Sequence, residues 1–254
     1  MSESAEAAGT LWTTPTQFTG RAIKATAAYG GVKLAFPENY VHFKDNYKDE
    51  FKQKFPYSKV PAWEGADGFL LFESAPIARY VASLAPESGL LGKGPKDAAL
   101  IDQWMHLMEE VNDYTETIEC LLSGSSAPYS ASMMKKVTGY QMRALKTLDG
   151  HLGERKYFLE QLTLADIWVA SLVLRACGII LDTKAREGLP HLMRHLAEVI
   201  SMPVFEGIFG AIPKLESVQT PEGSKKRKTE VAADKEAEPR ATRTTRKKSN
   251  VGAV

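Results

Sequence analysis

Residues 58–80 read SKVPAWEGADGFLLFESAPIARY, and this stretch decides how the first third of the chain folds. Two short apolar runs, Val60 to Trp63 and Phe69 to Phe72, flank the turn residues EGADG, the pattern of a β-hairpin. Helix signals begin directly afterwards, at Ser74. Proline removes a ladder donor, so Pro61 belongs at a sheet edge or at the first residue of a strand. A cis Val60-Pro61 bond turns the chain sharply. It leaves the N–H and C=O of Val60 facing outward, where a peptide-like ligand pairs with them. At the far end of the hairpin Ser74 reads as an N-cap and Pro76 fits the first helical turn, where a missing N–H costs nothing. Amides at a helix start, with a hydroxyl beside them, form a carboxylate site, and Glu73 receives an ammonium. Acid, hydroxyl and amides together suit a zwitterionic amino-acid head. Each feature alone is ordinary, since Glu before Ser is a common cap and Val-Pro before a strand is commonplace. Their pairing about a dozen residues apart, across one hairpin, is what carries information.

Upstream, Leu11 to Thr13 is a strand candidate, Arg21 to Tyr29 is helix-compatible and ended by Gly30-Gly31, and Val32 to Phe36 alternates as a strand does. The segment NYKDEFKQKF is a short helix or an irregular connection. Residues 9–84 thus form one α/β unit, and the Gly- and Pro-rich APESGLLGKGP is a linker. Residues 96–216 then read as helices only: Asp97 to Leu122, Ser130 to Leu152, Thr163 to Leu181, Leu189 to Ile200 and Val204 to Ile212. Thr163 with Asp166 makes a capping box, with Leu162 and Ile167 as its hydrophobic staple. The fold class is a small α/β domain followed by an all-α domain. Residues 217–254, poor in aromatics, are expected to be a disordered basic tail.

The 254 residues carry a formal charge of +1, which conceals a division. From Lys225 onward ten Lys and Arg face four acids, whereas the preceding residues hold 22 basic and 27 acidic side chains. Apolar run IWVASLVL is closed by Arg175, well short of the roughly 18–20 residues of a membrane span. MSESAEAAGT does not resemble a secretory signal, so an intracellular, cytoplasmic location is expected. Cys120 and Cys177 read as buried reduced thiols, and His191 and His195 as a surface helix pair without a third ligand, so no metal site is expected. A Walker loop, a G-x-G-x-x-G fingerprint and a G-x-S-x-G elbow are all absent.

The hairpin stretch resembles the glutathione-binding half of the cytosolic glutathione transferases, which pairs a thioredoxin-like α/β domain with an all-helical C-terminal domain. The likeness extends over roughly residues 9–216, and TLADI at Thr163 to Ile167 is similar to the capping motif of the family's helical domain. GTLW, KFPYSKVPAWEGADGFLLFESAPIARYV and PVF resemble more narrowly the gamma subunit of translation elongation factor 1 and its stand-alone fungal relatives, some of which serve secondary-metabolite (polyketide) pathways. This resemblance implies glutathione as co-substrate, with Val60 after Lys59 and before Pro61 pairing with the cysteinyl backbone, and Glu73 and Ser74 holding the γ-glutamyl end. Lys59 either adds charge near a glutathione carboxylate or is simply solvated. The family's activating hydroxyl follows the first strand, where Thr14 stands before Pro15, with Thr13 and Thr16 as fallbacks; a structural turn threonine is the equal reading. On the fourth helix Met105, Met108, Glu109 and Asn112 share the face that the family points at the thiol, and core packing is the better reading of both methionines. The implied partners are a small hydrophobic electrophile and a second copy of the chain, with no membrane and no nucleic acid. KKRK and RKK in the tail are an import signal, a patch for an acidic partner, or merely solvated. Two functions stand: a glutathione-dependent enzyme, or a non-catalytic scaffold like the translation subunit.

Overall fold

In the computed structural model, residues 6–125, 128–218 and 220–221 are described. Strand β1 (Gly9–Trp12) leads into helix α1 (Phe18–Gly30), which ends where Gly31, at φ 68°, returns its N–H to Ala27 and Ala28. Left-handed backbone favours glycine at that position. Strand β2 (Leu34–Ala35), a 3-10 turn (Asp45–Tyr47) and helix α2 (Asp49–Lys54) precede the hairpin of β3 (Ala62–Gly65) and β4 (Leu70–Phe72). Helix α3 (Ser74–Ser83) closes this part. The sheet order is β2-β1-β3-β4, with β1 parallel to β2 and antiparallel to β3, and β3 antiparallel to β4. The Val60-Pro61 bond is cis, and Pro61 stands one residue ahead of β3, an inner strand, so the ladder loses no donor to it.

The remaining elements are helical: α4 (Pro95–Ser123), α5 (Ala131–Leu152), α6 (Leu164–Ile179), α7 (Thr183–Glu187) and α8 (Pro190–Ile200). Every residue of α6 from Leu164 to Leu174 is buried, as suits a helix apolar on all sides. One hydrophobic core runs from Leu11 in β1 to Phe209, through both the sheet-facing helices and the helical part. Helix α6 reaches α1 through Ser171, whose hydroxyl donates to the Phe18 carbonyl at 2.6 Å. Arg79 of α3 pairs with Asp102 of α4 at 2.6 Å.

Several elements differ from the sequence expectation. β3 starts at Ala62 rather than Val60, and only Leu34 and Ala35 of the Val32–Phe36 run find a partner strand. Helix α1 begins three residues earlier than Arg21. The helix expected over Val204–Ile212 is a single 3-10 turn, Pro203–Phe205; Gly207 and Gly210 follow at φ 76° and 77° and end it. Helix α7, not expected from the sequence, is little more than one turn long, and its cap is the Asp182 side chain, which accepts from Ala185 N–H at 2.9 Å. The tail clusters Lys225–Lys228 and Arg246–Lys248 lie outside the described residues.

Two further side chains, His195 and Cys120, depart from expectation. His195 is fully buried rather than on the surface, because it lies on the α8 face that carries Leu192, Leu196 and Val199 inward. Its Nε2 meets Asp166 Oδ1 at 2.9 Å. Asp166 also accepts from Phe158 N–H at 2.9 Å, Thr163 N–H at 2.7 Å and the Thr163 hydroxyl at 2.9 Å. One carboxylate therefore caps α6, anchors the preceding loop and ties down α8. Cys120 is half-buried, whereas Cys177 is fully buried and its thiol pKa is pushed up to about 11 by that burial.

Asp166→Ala strands these donors in the core and should lower stability by about 3–5 kcal/mol, read as a shift of the urea midpoint at unchanged slope; a shift under a third of that would show the node to be replaceable. Cys177, protonated at pH 8, should resist a thiol-specific reagent until denaturant is added. Prompt labelling of both cysteines in the folded chain would contradict its burial.

Candidate functional site

Trp12 pairs with Ala62, and Ala62 with Phe72, so three strands end on one line across the sheet. Neighbouring strands stand about 4.8 Å apart, which places the chain just beyond those residues within a span of about 10 Å. An extended tripeptide covers about the same length. The residues beyond the line are Thr13, Thr14, Pro61, Val60, Glu73 and Ser74.

A cavity of about 240 Å³ opens there. Lys59, Val60, Pro61, Glu73 and Ser74 all line it, together with Gln17 and Thr19 from the start of α1. Phe55, Tyr57 and Phe72 complete its wall. Two larger cavities, of about 560 and 630 Å³, flank the 154–163 loop but include none of the binding or catalytic residues expected from the sequence.

Glu73, not Ser74, is the cap residue of α3, and it makes no side-chain cap bond. Its carbonyl accepts the first helical bond, from Ile77 N–H at 3.1 Å. The amides of Ser74 and Ala75 have no partner within the helix and Pro76 has none to offer, and Ser74 brings its hydroxyl to the cavity. Glu73 is exposed and sits at φ 73°, ψ 127°, a conformation that non-glycine residues rarely adopt. Such strain costs of order 1–3 kcal/mol and collects at functional sites.

Val60 is nearly buried, and its N–H has no hydrogen-bond partner among the described residues. Its carbonyl, expected to face outward unpaired, instead accepts from the Gln17 side-chain amide. The Lys59 ammonium lies 4.5 Å from the centre of the Tyr57 ring. Its pKa is raised, first by the Tyr57 hydroxyl and then by the charges of Glu116 and Glu73.

The three sequence-selected threonines do not converge on the 240 Å³ cavity. Thr13 is buried and donates to Gln17 Oε1 at 2.8 Å. Thr14 and Thr16, their hydroxyls 3.4 Å apart, line a second cavity of about 650 Å³. Gln17 and Thr19 line both cavities, which makes Thr19 the hydroxyl at their junction. The first backbone bond into α1 is Arg21 N–H to Gln17 C=O at 3.0 Å, so the amides of Phe18, Thr19 and Gly20 have no helical partner. A helix N-terminus with three such donors favours an anion.

The second cavity takes Asn112, Glu116 and Glu119 from one face of α4 and Arg175 from α6. Arg175 donates to Asn112 Oδ1 and to Glu119 Oε2, each at 2.8 Å. Phe18, Leu172 and Ile179 supply its apolar surface. Of the four residues proposed for that face, only Asn112 reaches it; Met105 and Met108 pack in the core. Glu109 is half-buried against His106 at 3.0 Å, and its pKa is raised by burial first and by the charges of Asp113 and Glu73. Gln17, Thr19, Glu116 and Arg175 were not singled out from the sequence. Thr19 was hidden because the helix was expected to begin at Arg21, which leaves Thr19 in a turn.

The profile of "Glutathione S-transferase, N-terminal domain" matches residues 7–83, and that of "Glutathione S-transferase, C-terminal domain" matches residues 111–203. The glutathione S-transferase-like protein LUC7 of a Fusarium species is 36% identical over 197 residues, covering 75% of this chain and 89% of its own. Elongation factor 1-gamma of Equus caballus is 32% identical over 218 residues, covering 84% of this chain and 48% of that protein, so the chain spans about half of that relative's length. Among solved structures, a glutathione S-transferase from Methylobacillus flagellatus with glutathione bound superposes with a TM-score of 0.70 at 21% identity, covering 80% of this chain and all of its own. Across both parts, then, this chain belongs to the glutathione S-transferase family.

Proposed function

We propose that residues 9–84 are a glutathione-binding domain, residues 96–216 the helical domain that walls the second-substrate cavity, and residues 217–254 a separate basic tail. On this reading the chain transfers glutathione to a small electrophile in fungal secondary metabolism, such as polyketide biosynthesis. The observation that carries it is the meeting of Val60, Glu73, Ser74 and the start of α1 in one cavity that abuts a second.

Glu73 takes the ammonium of the γ-glutamyl head, while the Ser74 hydroxyl and the Ser74 and Ala75 amides take its carboxylate. The Val60 backbone, presented by Pro61, pairs with the cysteinyl unit, and Lys59 faces the glycine carboxylate. The thiol then lies at the α1 N-terminus, beside Thr19, with Thr14 and Thr16 lining the second cavity and Thr13 buried against Gln17. A free thiol with pKa about 8.5 is only a few per cent ionised at neutral pH. Hydrogen bonds to the charged form contribute roughly 1.5–3 kcal/mol, equivalent to one or two pKa units. Thiolate sulfur attacks the electrophilic carbon, the C–S bond forms, and the displaced group leaves with its electron pair. No cysteine of the chain lines either cavity, so the sulfur is the ligand's.

A second reading, a non-catalytic scaffold like the translation subunit, is favoured by two observations. Threonine, whose aliphatic hydroxyl is far less acidic than a phenol, stands at position 14, and Val60 has its carbonyl engaged by Gln17. A homodimer, a cytoplasmic location and a tail that meets an acidic partner or an import receptor fit either reading. Among the described residues, no helix is long and apolar enough to cross a membrane.

Glutathione at 100 times its Kd should stabilise the chain by about 2.7 kcal/mol, seen as a thermal shift together with retention on immobilised glutathione; neither effect would select the scaffold. Glu73→Ala should abolish retention without unfolding the chain. Glu73→Gly should also lose retention yet gain about 1 kcal/mol of stability, because glycine relieves the positive φ at some entropic cost; a less stable glycine variant would show that the backbone there is unstrained. Thr19→Ala should lower kcat at least tenfold with glutathione affinity kept, and Thr14→Ala should lower it less. The reverse order would return the activating role to Thr14.

A further inference from the structure

Gln17 stands one residue ahead of α1, and its side chain makes no cap bond to it. Both ends of its side-chain amide are engaged elsewhere. The Val60 carbonyl can only accept, so the atom facing it is Nε2, and Oε1 is left to take the Thr13 hydroxyl at 2.8 Å. Thr13 itself has little room to shift: it is buried, and a Cβ added to Gly20 would lie 2.0 Å from its Oγ1. Glycine at position 20 is what makes space for this anchor. We propose that Gln17 is a latch on the tripeptide cavity, whose amide holds the Val60 carbonyl that the cysteinyl N–H of glutathione needs, so that the ligand binds by displacing it. This inference rests on the glutathione reading above and adds the residue that limits affinity.

Only half of the Val60 pair is guarded, since its N–H has no partner among the described residues. A ligand carbonyl can therefore dock on that N–H first, after which its own N–H competes for the Val60 oxygen. The displaced amide pivots about the anchored Oε1. Gln17 lines both cavities, so it swings toward the second one. Tripeptide and latch exclude each other at Val60, while latch and acceptor share the second cavity. By linkage, glutathione and acceptor therefore oppose each other equally through the latch.

Calorimetric titration of reduced glutathione into the full chain tests the latch directly. Gln17→Met keeps the length of the side chain and removes its donor, and Gln17→Ala removes both. One hydrogen bond no longer displaced corresponds to about three- to tenfold tighter binding in each variant. Thr13→Val, which frees the amide without altering it, should shift affinity in the same direction by less. A merely structural role would change the melting temperature and leave glutathione affinity equal or weaker. Wild-type binding with unchanged or weaker affinity in the Met and Ala variants overturns the latch and leaves the cavity reading standing. Binding in the variants but not in the wild type supports the latch in its strongest form. No binding in any of them overturns latch and cavity reading together.

Discussion

The candidate site depends on strand register. Trp12, Ala62 and Phe72 are cross-strand neighbours, so β1, β3 and β4 all terminate at one end of the sheet. Side chains alternate along a strand, and a slip of one residue would turn every one of them to the opposite face. It would also part Val60 from Glu73. The register is enforced from the far end of the same strands. A Cβ on Gly9 would lie 2.5 Å from the fully buried Trp63 ring and 2.6 Å from the Glu64 carbonyl, so β1 and β3 approach closely only with glycine there. Trp63 in turn opposes Leu11, also fully buried, and the pair seats the hairpin on the core. The placing of cavity-lining groups at one end of the sheet is thus decided by packing at the other.

A second constraint acts through the helical part. The α1 N-terminus faces both cavities, and what holds it is α6: the Ser171 hydroxyl grips the Phe18 carbonyl. Arg21 adds a bond from α1 to the Phe209 carbonyl at 3.0 Å. Helix α6 is itself fixed at its start by Asp166, whose carboxylate joins the capping box to the buried His195 of α8. The chain of support therefore runs from α8 through Asp166 and α6 to the amides of α1. Loss of the node would loosen the anion-facing end of α1 without touching a residue that lines either cavity.

The hairpin, the helical second part and the capping box were legible in the sequence because each is written in local chemistry. Turn residues EGADG between apolar runs, and Thr163 with Asp166 three positions on, need no tertiary knowledge to read. What stayed hidden is long-range. Nothing near Gln17 in sequence shows that its amide meets Val60, 43 positions away. Arg175 reaches Glu119 across 56 positions, and its cavity is visible only once α4 and α6 are packed. Two histidines four apart look like a polar stripe, whereas the neighbours Leu192, Leu196 and Val199 place His195 on the apolar face. Serine is the better cap residue, so the sequence points to Ser74. The positive φ of Glu73 moves the helix start by one and gives that role to the backbone of the acid.

The cavities carry more acid than base: Glu73, Glu116 and Glu119 against Lys59 and Arg175. Such a rim opposes an anionic sulfur, and magnitudes decide whether the opposition matters. Arg175 is already bonded to Glu119, and the Lys59 pKa is raised by both Glu73 and Glu116, so most of the excess is offset in place. A remaining carboxylate at about 8 Å through water contributes about 0.5 kcal/mol, and physiological salt with a Debye length of about 8 Å reduces it further. A single hydrogen bond donated to a charged acceptor contributes about 1.5–3 kcal/mol, and the start of α1 offers three amides and the Thr19 hydroxyl. Contact outweighs field. For any thiol at that position, ionisation is accordingly set by the donors that reach the sulfur rather than by the acidic rim.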